Sequence, residues 1–439
     1  MPTFASKLLI GSLTANALKT KSLSYHLMLE NGLISQSISK GIHVTMPMGQ
    51  RIVDKLTKII EDELNGIGCQ KVVMPSMGPK YMWDKTDRWN EMGNEMFKLK
   101  DRKDQEFCLQ PTGEEMITTM VKNFGTPRES QLPIKLYQTT EKFRDEMNPR
   151  FGWLRSRNFL MNDLYTFDKN KGNALETYME VTKVYEKIFY DILQLRDIVH
   201  KVEADCGVMG GNLSHEYQIK NDSAEDKIVE CKKCSQKFKD EMIRNKLTGE
   251  VKCTSCGNHE EFDFFDSIEV AHTFYLEKKY SKIFEAISST NKNDYYEMCC
   301  FGIGVTRLIA ACIDALSGST TSMRLPKAIS PYKKVLILPK KWDKPLLKEQ
   351  LELVVGELST RFIDHTDIII DDRSDKTIGK KLVEWNKFGI HDICVVGSSA
   401  QNLLDKNVIE YYTSDRNTPK LIKHSNLSLD SFIDVMMKT

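Results

Sequence analysis

The stretch from residue 143 to residue 163 constrains the fold of this chain more than any other. Arg144 and Glu146 lie two positions apart, and on a strand such residues point to the same face. A loop rich in Pro, Arg and Gly covers 147–157, and Phe159 then resumes an apolar run, as a returning antiparallel strand would. The pattern predicts a β-hairpin with a cationic tip, and a tip of this charge indicates an ATP site.

The hairpin and two further segments resemble the three motifs of class II aminoacyl-tRNA synthetases. The string FRDE, the loop and then R-x-x-x-F-x-x-x-D look like motif 2, at about 136–167. Phe301 to Arg307 looks like motif 3, at 299–315, and Met74-Pro75 looks like the close of motif 1, at 42–75. Three motifs in the right order are a specific match. The resemblance implies an α+β catalytic domain at 25–326, with an antiparallel sheet flanked by helices, and a homodimer formed through motif 1.

Four stretches outside these motifs resemble prolyl-tRNA synthetases of the bacterial and mitochondrial type. They are Gln110–Glu115, Gly210–Glu216, Ile268–Phe274 and Cys300–Gly302. Three positions depart from the bacterial pattern, since Gly113 stands for His, and Ala271 and Cys299 stand for Gly. The resemblance runs from about Tyr25 to the C-terminus. It implies a ligase that uses ATP to convert L-proline to prolyl-adenylate and then charges the 3′ end of tRNA(Pro).

The same resemblance implies a role for each residue of the site. The catalytic arginines would be Arg144, which bridges the proline carboxylate and the α-phosphate, and Arg307 at the γ-phosphate. The remaining ATP-binding residues would be Glu146, Arg155, Ser156 and Phe159. The proline pocket would consist of Thr112, Glu114, Arg144, His215 and Cys300.

Magnesium is the cofactor that this chemistry implies beside ATP, and hard cations take carboxylates. Glu203 and Glu216 are the candidate ligands. A structural interpretation stays open for two of the site residues: His215 as a hydrogen-bonded core histidine, and Glu203 as a surface carboxylate on a strand.

Four cysteines have the spacing of a zinc site. Cys231-x-x-Cys234 and Cys253-x-x-Cys256 are separated by eighteen residues, within an insertion at 226–262. Two such knuckles can place four sulfurs tetrahedrally around one structural Zn²⁺, and the alternative is a relic ribbon without metal. Only about eighty residues separate Glu216 from Cys299. The resemblance therefore implies an enzyme without the large editing insertion of many bacterial relatives.

The C-terminal region, 332–439, shows short apolar strands at 335–338, 368–370 and 393–396, separated by helical patterns. This alternation predicts an α/β unit with a largely parallel sheet. It resembles the anticodon-binding domain shared by prolyl, threonyl, histidyl and glycyl synthetases. The candidate contacts with tRNA, basic groups for phosphate and an exposed aromatic for stacking, are Arg373, Lys380, Lys381 and Phe388.

The first 24 residues suggest a mitochondrial presequence. No acidic residue occurs from Met1 to Leu29, while Lys7, Lys19 and Lys21 punctuate apolar positions. The alternative is an ordinary polar N-terminal helix, which the absence of arginine before Arg51 favours. We expect a mitochondrial matrix protein, or otherwise a cytoplasmic one.

Composition agrees with this interpretation. The 439 residues carry a net charge of +1, so tRNA must be held by local patches of charge. Eleven cysteines without a secretory framework indicate a reducing compartment. No stretch approaches the roughly 20 apolar residues that span a bilayer, which predicts a protein without a membrane partner.

Two functions from other classes compete. A catalytically inactive accessory subunit, binding tRNA or a polymerase, should have lost Arg144, Glu146 or Arg307, and all three are present. A zinc hydrolase needs an open coordination position, whereas one ion would consume all four cysteines. Class I synthetases are excluded because no HIGH or KMSKS string occurs.

Overall fold

The computed structural model describes residues 3–9, 22–221, 226–244, 248–289, 294–342, 345–361, 367–397, 409–415 and 420–437. Within these ranges no helix has both the length and the apolar character to span a membrane. The chain forms two compact units. We call Ser37–His43 with Leu56–Ala311 the large unit, and Met1–Gln36, Val44–Lys55 and Cys312–Thr439 the small unit.

Helices and strands are numbered along the described part of the chain. The strands are β1 (Thr3–Phe4), β2 (Gln70–Lys71), β3 (Met77–Pro79), β4 (Lys98–Lys100), β5 (Glu106–Leu109), β6 (Ile134–Phe143), β7 (Asn158–Asp168), β8 (Val199–Glu203), β9 (Leu213–Lys220), β10 (Asp226–Cys231), β11 (Lys237–Lys239), β12 (Phe262–Glu277), β13 (Glu297–Gly304), β14 (Lys334–Ile337), β15 (Ile368–Asp371), β16 (Asp392–Val396), β17 (Ile409–Ser414) and β18 (Leu421–Lys423). The α-helices are α1 (Leu23–Glu30), α2 (Pro47–Gly66), α3 (Lys80–Lys85), α4 (Arg88–Glu91), α5 (Glu114–Asn123), α6 (Lys171–Glu186), α7 (Asp240–Ile243), α8 (Lys279–Ile283), α9 (Val305–Leu316), α10 (Pro345–Arg361), α11 (Ile378–Lys387) and α12 (Leu429–Met437).

The large unit is built on a nine-stranded sheet with the order β10-β11-β8-β9-β12-β13-β7-β6-β2 in the described residues. The β8–β11 and β2–β6 pairs are parallel and the other pairs are antiparallel. β13 is buried along almost its whole length because both faces are covered. Phe301 packs against Tyr178 and Tyr185 of α6, while Cys300 joins the apolar cluster on the opposite face. The α+β class expected from the sequence is confirmed.

The predicted hairpin is confirmed, with one correction. β6 and β7 pair antiparallel, in a register that places Phe143 opposite Asn158. β6 ends at Phe143, however, so Arg144 and Glu146 lie in the loop beyond the strand and share no strand face. The amide of Arg144 donates to the Arg157 carbonyl at 3.0 Å, which ties the two sides of the loop together.

In its described residues the small unit contains a six-stranded sheet with the order β1-β15-β14-β16-β17-β18. Its first four strands run parallel, as predicted for this region. The sequence did not reveal the edge strand β1, in which Thr3 and Phe4 pair with Ile369 and Ile370. Of the predicted presequence, residues 1–2 and 10–21 lie outside the described residues.

Candidate active site

A cavity of about 540 Å³ lies on the sheet of the large unit. Three adjacent strands line it, largely through alternate residues, because side chains two apart on a strand share a face. The lining residues are Glu269, Val270, Ala271, His272 and Phe274 of β12; Cys300, Phe301, Gly302 and Gly304 of β13; and Phe159, Met161, Asp163 and Tyr165 of β7. The structure brings six predicted residues to this cavity, from distant parts of the sequence: Thr112, Glu114, Arg144, Phe159, Cys300 and Arg307. A larger hollow, of about 720 Å³ along α2 and α6, contains none of the predicted residues.

Glu114 begins α5 at one end of the cavity, and only 1% of it is exposed. Its Oε2 accepts a hydrogen bond from Thr112 Oγ1 at 2.7 Å and another from Arg88 Nη1 at 3.1 Å. Sequence reasoning missed Arg88, which also lines the cavity. A buried carboxylate at a cavity wall is a site for a cationic group of a ligand.

Arg144 lies elsewhere on the cavity wall, with its guanidinium 5.3 Å from the centre of the Phe159 ring. Its Nε is buried and has no hydrogen-bond partner in the part of the chain that the structure describes. Burial, and then the neighbouring Arg307, lower the pKa of Arg144. A buried donor without a partner costs free energy until an anion occupies the cavity.

A smaller hollow, of about 260 Å³, shares the lining residues Glu269 and Arg307 with the 540 Å³ cavity. Glu146 and Arg155 also line this smaller hollow. Arg155 Nε donates to Glu146 Oε2 at 2.8 Å, so these two predicted ATP-binding residues are paired with each other. Ser156 is buried, and its Oγ has no hydrogen-bond partner within the described ranges. The shared wall makes the two hollows neighbours, a suitable arrangement for a ligand with several charged groups.

The predicted pair of magnesium ligands is wrong in its geometry. Glu203 and His215 are directly opposite on β8 and β9, so their side chains share one face of the sheet. Glu216, the next residue of β9, points to the other face. Glu203 and Glu216 therefore cannot hold one ion together.

Glu216 instead lies close to two residues of β12. One ligand atom from each of Glu216, Glu269 and His272 lies within 4.8 Å of the others. Burial raises the pKa of Glu269, but His272, Arg307 and Arg144 outweigh this effect and lower the pKa to about 2. Glu269 is therefore ionised. The sequence pattern singled out the segment Ile268–Phe274, which contains Glu269, but it indicated no role for this residue.

His215 does not line the cavity, contrary to the prediction. Its Nδ1 lies 2.7 Å from the hydroxyl of Tyr178 on α6, which covers the opposite face of the sheet. Burial, followed by Lys201, lowers the pKa of His215 to about 4, so the ring is neutral at physiological pH. The interpretation that stayed open, a hydrogen-bonded core histidine, describes this position. The histidine at the cavity is His272, stacked on Phe274 at 3.8 Å between ring centres.

The four cysteines of the insertion converge. Their sulfurs lie within 4.8 Å of one another, with Cys231 and Cys256 at 3.6 Å and Cys234 and Cys253 at 3.6 Å. A tetrahedral Zn²⁺ with bonds of about 2.3 Å has sulfurs about 3.8 Å apart. The four side chains therefore fit a closed zinc site.

The predicted tRNA contacts of the small unit divide into two kinds. Lys380 is exposed, and Arg373 lines a cavity of about 650 Å³ with Ser6, Lys340, Trp342, Asp372 and Lys376, which we call the small-unit groove. Lys381 is 0% exposed, and Phe388 is 4% exposed. The expectation that these two contact a ligand is wrong for this conformation, because Lys381 and Phe388 lie on the face of α11 that carries the buried Trp385.

Comparison with known proteins places this geometry in context. Residues 97–316 match the family described as tRNA synthetase class II core domain (G, H, P, S and T). The chain is 40% identical to the probable mitochondrial proline–tRNA ligase of Homo sapiens over 384 residues, which cover 86% of this chain and 78% of the relative. The corresponding protein of Schizosaccharomyces pombe is 34% identical and matches 85% of this chain and 86% of its own length. The proline–tRNA ligase of Pelagibacter ubique is 32% identical, with 92% and 94% covered.

Two solved structures share the fold. Prolyl-tRNA synthetase of Cryptosporidium parvum, complexed with L-proline and AMP, superposes with a TM-score of 0.70 at 16% identity, covering 94% of this chain and 74% of that chain. The Giardia lamblia enzyme in complex with prolyl-adenylate gives a TM-score of 0.71 at 18% identity, with 95% and 77% covered.

Proposed function

The chain belongs to the proline–tRNA ligase family of class II aminoacyl-tRNA synthetases, and from this premise we propose how its residues divide the reaction among them. The enzyme activates L-proline with ATP to give prolyl-adenylate and pyrophosphate, and then transfers the prolyl group to tRNA(Pro). The observation that carries the assignment of roles is the pair of opposite charges on one cavity wall. Glu114 is a buried carboxylate, and Arg144 is a half-buried guanidinium whose buried Nε has no hydrogen-bond partner among the described residues.

Proline is a zwitterion and fits these two charges. Glu114, supported by Thr112, pairs with the secondary ammonium, and Arg144 pairs with the carboxylate. Cys300 and the aromatic residues of the cavity wall contact the pyrrolidine ring, while His215 supports the sheet from behind. Arg144 thereby brings the attacking carboxylate oxygen to the α-phosphate.

ATP occupies the rest of the site. Arg144 and Arg307 offset the negative charge that develops at phosphorus, which is the main catalytic contribution in phosphoryl chemistry. Phe159 provides a stacking face for adenine. Glu146, Arg155 and Ser156 bind the nucleotide after the Glu146–Arg155 ion pair opens.

Magnesium would be held by Glu216 and Glu269, which replace the pair expected from the sequence. Carboxylate oxygens are the ligands that Mg²⁺ prefers, and the ion would neutralise charge on the phosphates. Lys239 Nζ, 3.0 Å from Glu216 Oε1, balances part of the carboxylate charge here. His272 orients Glu269 from 3.4 Å.

The zinc site is proposed as structural, because four thiolates leave no open position. Metal binding of this kind contributes folding free energy. Purified protein should contain one equivalent of zinc, and Cys231→Ser should lower the melting temperature without changing the chemical step. Protein prepared without chelator that contains no zinc would contradict the proposal.

The remaining proposals concern partners and location. The enzyme acts as a homodimer through the motif 1 region and binds the tRNA(Pro) anticodon through Arg373 and Lys380. It works in the mitochondrial matrix, as the names of its mitochondrial relatives suggest. Thr3 and Phe4 belong to the sheet of the small unit, so removal of the first 24 residues would expose the edge of β15.

The enzyme is also proposed to lack editing in cis. The described residues between Glu216 and Cys299 form the Cys₄ module and the strand and helix that follow it. A pocket shaped for proline excludes alanine only weakly, since a smaller side chain loses about 1–3 kcal/mol of contact. Preformed alanyl-tRNA(Pro) should therefore decay equally fast with and without the protein.

Proline-dependent exchange between ATP and pyrophosphate tests the central assignment. The purified chain should support exchange with proline far better than with alanine. No exchange with any amino acid would favour the inactive accessory subunit, an interpretation that the comparisons do not support.

A further inference from the structure

Three charged side chains form a buried cluster at the proline end of the cavity. Arg88, Glu114 and Glu115 are each at most 2% exposed. Arg88 Nη1 lies 3.1 Å from Glu114 Oε2, and 3.1 and 3.2 Å from the two carboxylate oxygens of Glu115. One guanidinium therefore serves two carboxylates, and the cluster has one negative charge in excess.

The two carboxylates differ in what they face. Glu114 lines the cavity, whereas Glu115 does not. Glu115 accepts a further hydrogen bond from Thr86 Oγ1 at 2.8 Å and meets Arg88 through both of its oxygens. Arg88 is held in turn by the hydroxyl of Tyr280 at 3.1 Å and lies 5.2 Å from the Trp83 ring centre. Glu115 is the internal partner of the guanidinium, and Glu114 is the carboxylate available to a ligand.

Two buried carboxylates this close cannot both stay ionised without a counter-ion, because each raises the cost of charging the other. Burial raises the pKa of Glu115; among its charged neighbours, Arg88 lowers it and Glu114 raises it. The other described ionisable groups that face the cluster or line the same cavity are Tyr280, Tyr165, Cys108, Cys206, Cys300, Glu91, Glu95, Asp163, Asp205, Glu269, His272, Arg144 and Arg307.

We propose that Arg88 is a positioning residue for proline recognition: it neutralises Glu115, so that Glu114 remains the single ionised carboxylate that meets the substrate ammonium. The inference rests on the role of Glu114 proposed above. It adds that the net charge of the cluster, rather than the mere presence of Glu114, sets the affinity for proline.

The experiment measures Michaelis constants for proline and ATP in five variants of the full chain. Glu115→Gln frees Arg88 to pair with Glu114 and should raise the proline KM about tenfold, which corresponds to about 1.4 kcal/mol, with the ATP KM unchanged. Arg88→Met leaves two carboxylates to share a proton and should raise the proline KM at least as much. The double variant Arg88→Met/Glu115→Gln restores one excess negative charge and should return the proline KM to within about threefold of the parent. Glu106→Gln, which removes an exposed carboxylate on β5, is the matched control and should change nothing.

The pH dependence provides a second readout. Between about pH 6 and pH 8 the parent and the double variant should show a flat proline KM, whereas in Arg88→Met the KM should fall as pH rises and the shared proton leaves. A purely structural Arg88 would make the double variant worse than either single change, and that result would overturn the proposal. If Arg88→Met does not fold, an unchanged proline KM in Glu115→Gln overturns it equally. A normal proline KM in Glu114→Gln would instead reject the proposed role of Glu114.

Discussion

The cavity of the large unit and the groove of the small unit both present arginines, but the two arginines differ in what already holds them. Arg144 is half-buried, and its buried Nε has no hydrogen-bond partner among the described residues. Arg373 is bound by Asp371 at 2.6 Å and by Glu384 at 3.0 Å. A cation with a buried donor that the protein leaves unsatisfied is arranged for an anionic ligand, whereas one held by two carboxylates stabilises the fold first. The pairing of a charge inside the protein therefore says more about its function than its place in a motif.

The sharpest test of this contrast is Arg144→Ala. Removing this guanidinium should lower proline-dependent pyrophosphate exchange by about 10²-fold or more, because one charge contact at the reacting phosphorus is lost. The melting temperature should change by only a few degrees, since the cost of the unsatisfied Nε offsets the attraction of Arg144 to Glu269. Arg373→Ala serves as the comparison and should lower stability while leaving exchange intact. Exchange within a few-fold of the parent in Arg144→Ala would remove the basis of the contrast.

Glu114→Gln tests the anionic side of the same cavity. The amide keeps the shape of the side chain but loses the charge that pairs with the substrate ammonium, so the proline KM should rise about tenfold or more. The ATP KM should change by less than about twofold. Equal increases in the two constants would show that Glu114 supports the fold of the site rather than the recognition of proline.

A pair of neighbouring lysines sharpens the comparison inside the small unit. Lys381 Nζ donates to the carbonyls of Leu338 at 2.8 Å and of Asp371 at 3.1 Å, whereas Lys380 is exposed. Lys381→Met should cost about 1–3 kcal/mol of stability, because two buried carbonyls lose their donor. Lys380→Met should leave the melting temperature unchanged and raise the tRNA(Pro) KM by about two- to fivefold through loss of one phosphate contact. If Lys381→Met raised the tRNA(Pro) KM without loss of stability, while Lys380→Met lowered the melting temperature, Lys381 and not Lys380 would contact the tRNA.

The sequence predicted the residues of the large unit better than those of the small unit, for physical reasons. The class II motifs identified Arg144 and Arg307, and the separate stretch Gln110–Glu115 identified Glu114; all three line one cavity. The sequence could not tell that β6 ends at Phe143, because strand ends depend on pairing across the sheet.

The faces of the strands were the second source of error. His215 and Glu216 are adjacent in sequence, so one had to point away from the cavity, and only the register of β9 against β8 and β12 decides which. In α11 the spacing of the residues already indicated which side chains are buried. Lys381, Trp385 and Phe388 are spaced i, i+4 and i+7, the spacing of a single buried helix face. Arg88 was missed because its partners are 26 and 27 residues away and belong to no shared motif.

The smallest expected effect concerns the segment that follows β1. Residues from the start of the chain form part of the wall of the small-unit groove, whereas none lines the cavity of the large unit among the described residues. The Ser6 hydroxyl donates to Asp372 Oδ2 at 2.6 Å, and the Ser6 amide donates to Oδ1 at 2.9 Å. Ser6→Ala removes the first bond and keeps the second, so stability should fall by only about 0.5–1.5 kcal/mol. Lys7→Ala, a change at the neighbouring exposed position, is the matched control. Proline-dependent exchange should be identical in all three proteins, because the reacting groups lie in the large unit. A Ser6→Ala protein with parental stability would show that this exposed hydroxyl bond adds nothing to the backbone pairing of β1 with β15.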